Sequence, residues 1–220
     1  MAVFDPRFEC YAITDQASAQ GRDDLTVAAG LIRGGATCLQ YRAKKTQALE
    51  QWRVAAGLRA LTREAGVFFV VNDRLDLALA CGADGLHVGQ DDLPLPLARE
   101  WARKAGRPDL VLGRSTHSLE QALAGQGEGA DYIGFGPLFA TQTKENNVPP
   151  VGLAALAEVL ALVTVPVVAI GGIKLHNLEQ IGATGARHCA IVTALTSAED
   201  IGAVSRAHWD LWRAAARRSR

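Results

Sequence analysis

The chain has 220 residues, 49% of them hydrophobic, with 22 glycines and a formal net charge of zero from 23 basic and 23 acidic residues. That length fits one large α/β domain, and neutrality excludes a global field that would gather nucleic acid or an anionic membrane, so any anion selectivity must be local. Cys10, Cys38, Cys81 and Cys189 lack CxxC spacing, which points to small buried hydrophobes rather than to disulfides or a zinc site. The first residues, Met1 to Arg7, have no basic segment leading into an apolar one. The longest apolar run, Val159 to Ile173, is interrupted by Thr164, Pro166 and two glycines. A soluble, cytoplasmic protein without a leader is therefore the expectation.

From end to end, short β-branched runs alternate with helical patterns, the signature of βα units around a parallel sheet. Strands are predicted at Glu9–Thr14, Thr37–Arg42, Val67–Asn72, Gly85–Val88, Leu110–Ser115, Asp131–Phe135, Val167–Ile170 and Cys189–Thr193. Helices are predicted at Asp24–Arg33, Ala48–Ala65, Arg74–Ala80, Leu95–Lys104, Leu119–Gly125, Leu153–Leu162, Asn177–Ile181 and Ala198–Ala216. Eight such pairs close a parallel sheet into a single (β/α)8 TIM barrel. A weak repeat supports the count. Gly35-Ala36-Thr37, Gly82-Ala83-Asp84, Gly129-Ala130-Asp131 and Gly185-Ala186-Arg187 each precede an even-numbered strand, as when a glycine ends a helix before a tight loop. No linker or low-complexity tract divides the chain.

In such barrels the chemistry sits on loops leaving the C-terminal ends of the strands. After the second strand stand Gln40, Arg42, Lys44 and Lys45, two or three cations able to converge on a polyphosphate or to form a solvated basic loop. Asn72 and Asp73 follow the third strand, and Asp91 and Asp92 the fourth. Asp73 and Asp92 read either as helix caps or as two carboxylates on one hard cation, magnesium for preference. After the fifth strand come Ser115 and His117, either able to orient a substrate, while Ser118 fits a helix start. The sixth delivers Gly136-Pro137-Leu138-Phe139-Ala140-Thr141-Gln142-Thr143-Lys144, whose hydroxyls and ammonium could surround an anion. Gly171-Gly172 after the seventh strand, and Val192-Thr193 at the end of the eighth, occupy the usual phosphate position of this fold, although paired glycines also make an ordinary turn.

Taken together these residues resemble the thiamine phosphate synthase family over nearly the whole chain. The matching motifs, in order, are Tyr11-Ala-Ile-Thr-Asp15, Gln40-x-Arg42-x-Lys44, Asn72-Asp73, His87-x-Gly-Gln-x-Asp92, Gly113-x-Ser-Thr-His117, Gly136-Pro-Leu-Phe-x-Thr-x-Thr-Lys144 and Val167-Val-Ala-Ile-Gly-Gly-Ile173. The resemblance implies a transferase. It joins 4-amino-5-hydroxymethyl-2-methylpyrimidine diphosphate to hydroxyethylthiazole phosphate, releases pyrophosphate and needs Mg2+. It further implies that pyrophosphate leaves first and that the thiazole nitrogen captures the pyrimidine methylene cation. Carried over by position, Arg42, Lys44, Ser115 and Lys144 look catalytic. Gln40, Tyr41, Ala43 and Asn72 join them around the pyrimidine diphosphate. Thr141, Gln142, Thr143, Gly172, Val192 and Thr193 look like contacts to the phosphorylated substrates, chiefly the thiazole phosphate, and Asp73 and Asp92 like the magnesium ligands.

Three positions depart from the family's pattern: Ala140 replaces a usual proline, Thr193 a usual serine and His188 a usual glycine. A related thiazole tautomerase barrel, relying on His117, would need no charged cluster of this kind, and a precursor-binding regulator would need no catalysis. Partners are expected to be the two phosphorylated small molecules. The Trp209, Leu211 and Trp212 face of the last helix is offered for self-association, and the Arg213 to Arg220 tail is read as a solvated helix end.

Overall fold

The computed structural model describes residues 2, 3, 5–43, 47–141 and 149–218. The strands are β1 (Cys10–Ile13), β2 (Cys38–Tyr41), β3 (Phe68–Asn72), β4 (Gly85–Val88), β5 (Val111–Thr116), β6 (Tyr132–Phe135), β7 (Val167–Ile170) and β8 (His188–Ile191). Each pairs in parallel with its chain neighbours, and β8 returns to β1 with Cys189 opposite Cys10, so the sheet closes as the expected barrel. Around it run α1 (Asp24–Arg33), α2 (Ala48–Ala65), α3 (Leu75–Cys81), α4 (Leu95–Lys104), α5 (Leu119–Gly127), α6 (Gly152–Leu162), α7 (Leu178–Ala183), α8 (Thr193–Thr196) and α9 (Ile201–Arg218). The predicted bounds of α1, α2 and α4 hold to the residue. Among the described residues no helix is long and apolar enough to cross a membrane.

Alternation along each strand separates two cores, because successive side chains point to opposite faces. Tyr11, Ile13, Cys38, Val70, Tyr132, Val168 and Ala190 pack together with Phe8 inside the barrel. Leu39, Tyr41, Phe69, Val71, Leu86, Val88, Leu112 and Ile133 belong to the outer layer beneath the helices. Phe8, from a short 3-10 turn at Pro6–Phe8, plugs the floor, stacked 4.4 Å from the Tyr132 ring and edge-on to Phe68.

The repeat ahead of the even-numbered strands has a physical role. Gly35, Gly82, Gly129 and Gly185 all take φ between 67° and 99°, the left-handed turn that ends each helix. Two residues on, a side chain accepts the amide of the preceding odd strand. Thr37 Oγ1 accepts from Cys10 N–H at 2.9 Å, Asp84 Oδ2 from Phe69 at 2.9 Å, and Asp131 Oδ2 from Leu112 at 2.6 Å. Arg59 and Arg99 then neutralise the two aspartates at 2.7 and 2.6 Å. The fourth copy has Arg187 and cannot accept, and here His188 supplies the link. Its Nε2 accepts from Asp5 N–H at 2.9 Å while Nδ1 faces the Val167 carbonyl at 3.2 Å. The departure at His188 thus ties the N-terminal segment across the floor to β7.

Two expectations are corrected. The last strand stops at Ile191: Val192, at φ −117° and ψ −94°, turns the chain, and Thr193 opens α8. Trp209 and Trp212 do not form an outer association face, because both are fully buried against the barrel. Trp212 Nε1 donates to the Glu9 carbonyl at 2.8 Å, and Arg213 pairs with Glu9 at 3.2 Å, so that part of the tail is a fastening.

Candidate active site

The inward, C-terminal positions of β2 to β5 carry Gln40, Asn72, His87 and Ser115, and their neighbours pair in register across the strands. A line of hydrogen bonds crosses the barrel among them. Gln40 Nε2 donates to Tyr11 Oη at 2.7 Å, Tyr11 and Tyr132 hydroxyls lie 2.9 Å apart, and His87 bridges Tyr132 Oη and Ser115 Oγ at 2.9 Å each. Desolvation holds both phenols well above their ordinary pKa, so they remain neutral links. A neutral imidazole has one donor and one acceptor nitrogen. Whichever tautomer His87 takes, the Ser115 hydroxyl is oriented from behind. Glycines make the space: a Cβ on Gly113 would stand 2.1 Å from the Tyr132 ring and 2.5 Å from His87 Nδ1.

Arg42, just beyond β2, donates through Nη1 to Asp15 Oδ1 at 2.6 Å, with both side chains largely buried. Among the described residues this is the guanidinium's one side-chain contact, and it uses only one of the five donors of the fork. The Ala43 carbonyl accepts Gln51 Nε2 at 3.3 Å. Tyr41 lies on the outward face, in the helix layer, so a substrate can meet its backbone but not its ring.

Neither carboxylate holds a helix N-cap position. Arg74 and Pro94 hold the N-cap positions of α3 and α4, neither with a side-chain cap. Asp73 instead directly follows β3 at φ 61°, a left-handed conformation uncommon for any residue with a Cβ, with its amide donating to the His87 carbonyl at 2.8 Å. Asp92 folds back so that Oδ2 accepts Gly89 N–H at 2.7 Å. Between them Gln90 donates to the Ser115 carbonyl at 2.5 Å, fastening the Asp92 loop to β5. Two hard oxygen donors from adjacent loops, with no soft ligand among them, fit a magnesium ion that keeps water and phosphate oxygens in its shell. Among the described residues no group of three metal-binding side chains gathers, so the protein would supply only part of such a shell.

On the far side of the rim, the loop after β6 is zipped to the one after β7. Leu138 and Phe139 amides donate to the Ile170 and Gly171 carbonyls at 2.9 and 3.1 Å. A Cβ on Gly171 would lie 2.4 Å from Pro137 and one on Gly172 2.7 Å from Phe139, which explains the paired glycines by close approach as well as by turn. His117 Nδ1 donates to the Gly136 carbonyl, and Ser118 caps α5 through Gln121 N–H as expected. Thr141 is described and half-buried. Lys44, Gln142, Thr143 and Lys144 lie outside the described residues.

Sequence reasoning passed over Asp15, Ser18, Tyr11, His87, Gln90 and Tyr132. Asp15, Tyr11, His87 and Gln90 stood inside matched motifs without a role, while Ser18 and Tyr132 gave no signal. A cavity of about 590 Å3 lined by Arg7, Arg59 and Arg63 opens at the opposite, floor end, against the C-terminus of α2. The carbonyl end of a helix repels anions, and these arginines complement it.

The fold and rim define a TIM barrel with charged and hydrogen-bonding side chains gathered at the C-terminal ends of its strands. Comparison with known proteins sharpens that class. The sequence pattern of the family described as thiamine monophosphate synthase matches residues 10–195. A thiamine-phosphate synthase from Pelotomaculum thermopropionicum is 45% identical over 90% of this chain and 89% of its own, and one from Chloroflexus aurantiacus is 45% identical over 89% and 88%. The solved thiamine phosphate pyrophosphorylase from Pyrococcus furiosus superposes with a TM-score of 0.86 at 34% identity, covering 95% of this chain and 97% of that one. The chain belongs to the thiamine monophosphate synthase family and is an enzyme of the transferase class.

Proposed function

We propose that this enzyme joins 4-amino-5-hydroxymethyl-2-methylpyrimidine diphosphate to hydroxyethylthiazole phosphate, giving thiamine phosphate and pyrophosphate by a dissociative, magnesium-assisted route. What supports the proposal is that Arg42, Asn72, Asp73, Asp92 and Ser115 stand at or just beyond the C-terminal ends of four consecutive strands. Arg42 would grip the diphosphate, its direction set by Asp15. Ser115 and Gln40 would meet the pyrimidine, each held by the hydrogen-bond line through Tyr11, Tyr132 and His87. In the same reading Lys44 and Lys144 add charge at the leaving group, and Tyr41 and Ala43 contribute backbone. Gln142, Thr143, Thr141, Gly172, Val192 and Thr193 complete the pocket, chiefly around the thiazole phosphate.

Asp73 and Asp92 would hold Mg2+, which when bound supplies positive charge against the departing pyrophosphate. The thiazole nitrogen has a free lone pair, so no side chain need act as a general base to create the nucleophile. Charge preorganised around the leaving group is then the main catalytic contribution, with orientation of two substrates in one cavity beside it.

The test is to incubate the purified chain with both precursors and Mg2+ and measure both products. Thiamine phosphate and pyrophosphate are expected in equal amounts. Asp92→Ala is expected to lower turnover by at least about a hundredfold, the scale of one preorganised charge contact. Product formed equally well by Asp92→Ala would remove the metal assignment, and no product from the unaltered chain would remove the function.

A further inference from the structure

The loop after β1 carries Asp15 and Ser18, which touch neither substrate in the proposed function yet connect its two halves. Asp15 is 5% exposed and accepts Arg42 Nη1 on Oδ1 at 2.6 Å. Its Oδ2 accepts the Ser18 hydroxyl at 2.9 Å. That hydroxyl lies 2.6 Å from Thr196 Oγ1, and Thr196 is fully buried. A carboxylate only accepts, so Ser18 gives its one proton to Asp15, and Thr196 then donates toward Ser18, its Oγ1 also facing the Val192 carbonyl at 3.3 Å. The chain ends on a charge-assisted bond, the strong kind. At its other end the Thr196 amide donates to the Val192 carbonyl at 3.0 Å, and Arg22 fastens the same segment through the carbonyls of Thr196 and Ala198 at 2.9 and 2.7 Å.

This line runs from the cation on the diphosphate side to the Val192–Thr193 segment on the thiazole-phosphate side, across the seam where β8 meets β1. We propose that Asp15 and Ser18 are positioning residues that couple the two substrate subsites, so that filling one raises the affinity of the other. The inference rests on the two subsites assigned above. One arrangement of the chain serves both: Arg42 is aimed along the rim while α8 is held to the β1 loop. The ligand that binds first stabilises that arrangement, and the second finds it already made. Two anions in one cavity otherwise repel, so without the link the second would bind more weakly.

Titration calorimetry on the full chain tests this, with magnesium pyrophosphate as one ligand and hydroxyethylthiazole phosphate as the other. Each is titrated alone and in the presence of a saturating amount of its counterpart. The unaltered protein is expected to bind each ligand at least about fivefold more tightly when the other is present, by the same factor in either order, as linkage requires. In Ser18→Ala and in Thr196→Val, each ligand alone is expected to bind within about threefold of the unaltered protein, the scale of a modest substitution, while the coupling disappears or changes sign. A link that merely holds the fold together would lower the melting temperature of both variants and leave the coupling factor intact, and that result would overturn the proposal. So would an unaltered protein that binds each ligand no more tightly in the presence of the other than alone. If neither ligand binds the unaltered chain, the proposed function falls and this inference with it.

Discussion

At the scale of single residues, the charged part of the site was legible and its supporting part was not. Arg42, Asp73 and Asp92 could be picked out because each directly follows a strand candidate, and strand ends in this fold are where function collects. The structure then takes both carboxylates out of the N-cap positions, since Asp73 sits left-handed just after β3, with Arg74 at the cap, and Asp92 accepts a loop amide. Gly113, Tyr132 and His87 were beyond reach for a physical reason: a small residue, an aromatic and a histidine on a strand look alike whether they face the helices or the barrel interior. Their packing is tight enough to test. Gly113→Ala would drive a methyl into the Tyr132 ring at 2.1 Å. Overpacking of that kind is expected to cost about 3 kcal/mol and to break the bond that orients Ser115. Urea unfolding of the variant checks the first effect; an unchanged midpoint would mean that the interior yields where we describe it as fixed.

At the scale of elements, the glycine-led repeat was visible as punctuation, but its side-chain role was not. Thr37, Asp84 and Asp131 satisfy strand amides at the floor, and sequence alone does not tell such an acceptor from any solvated polar residue. The odd copy, with His188, has a pH consequence. Burial pushes the imidazole down to about 4 from an ordinary 6.5, because the charged form loses its hydration there, and the unprotonated Nε2 accepts the Asp5 amide. The unfolded chain therefore binds the proton between those values and the folded one does not. Stability from this group is present in full above pH 6.5 and is lost as pH falls toward 4. The loss is on the order of 3 kcal/mol for a shift of this size. The measurement is the difference in unfolding free energy between the unaltered protein and His188→Gln, followed from pH 7 to pH 4. That difference is expected to shrink on acidification, and a constant difference would contradict the account. Helix α9 gives the complementary lesson. Its two tryptophans read as a sticky outer face because an amphipathic pattern fixes which residues share a stripe, not which neighbour covers it. Here the barrel itself covers them.

Across the whole molecule, the two ends of the barrel divide the labour. The floor is closed by Phe8, the repeat acceptors and the His188 clamp, all of which fasten the chain. The rim gathers Arg42, Asn72, Asp73, Asp92 and Ser115 from four strands that are separate in sequence and adjacent in space. The account stands on that rim gripping a diphosphate through a divalent ion. The most direct measurement is the affinity of pyrophosphate for the unaltered chain, for Asp73→Ala and for Asp92→Ala, each with Mg2+ and again with a chelator. The account predicts that Mg2+ tightens binding to the unaltered chain by at least about a hundredfold and that either substitution removes most of that gain, the scale expected for loss of one charged contact. Pyrophosphate that binds equally well without Mg2+, or equally well to both variants, would contradict it.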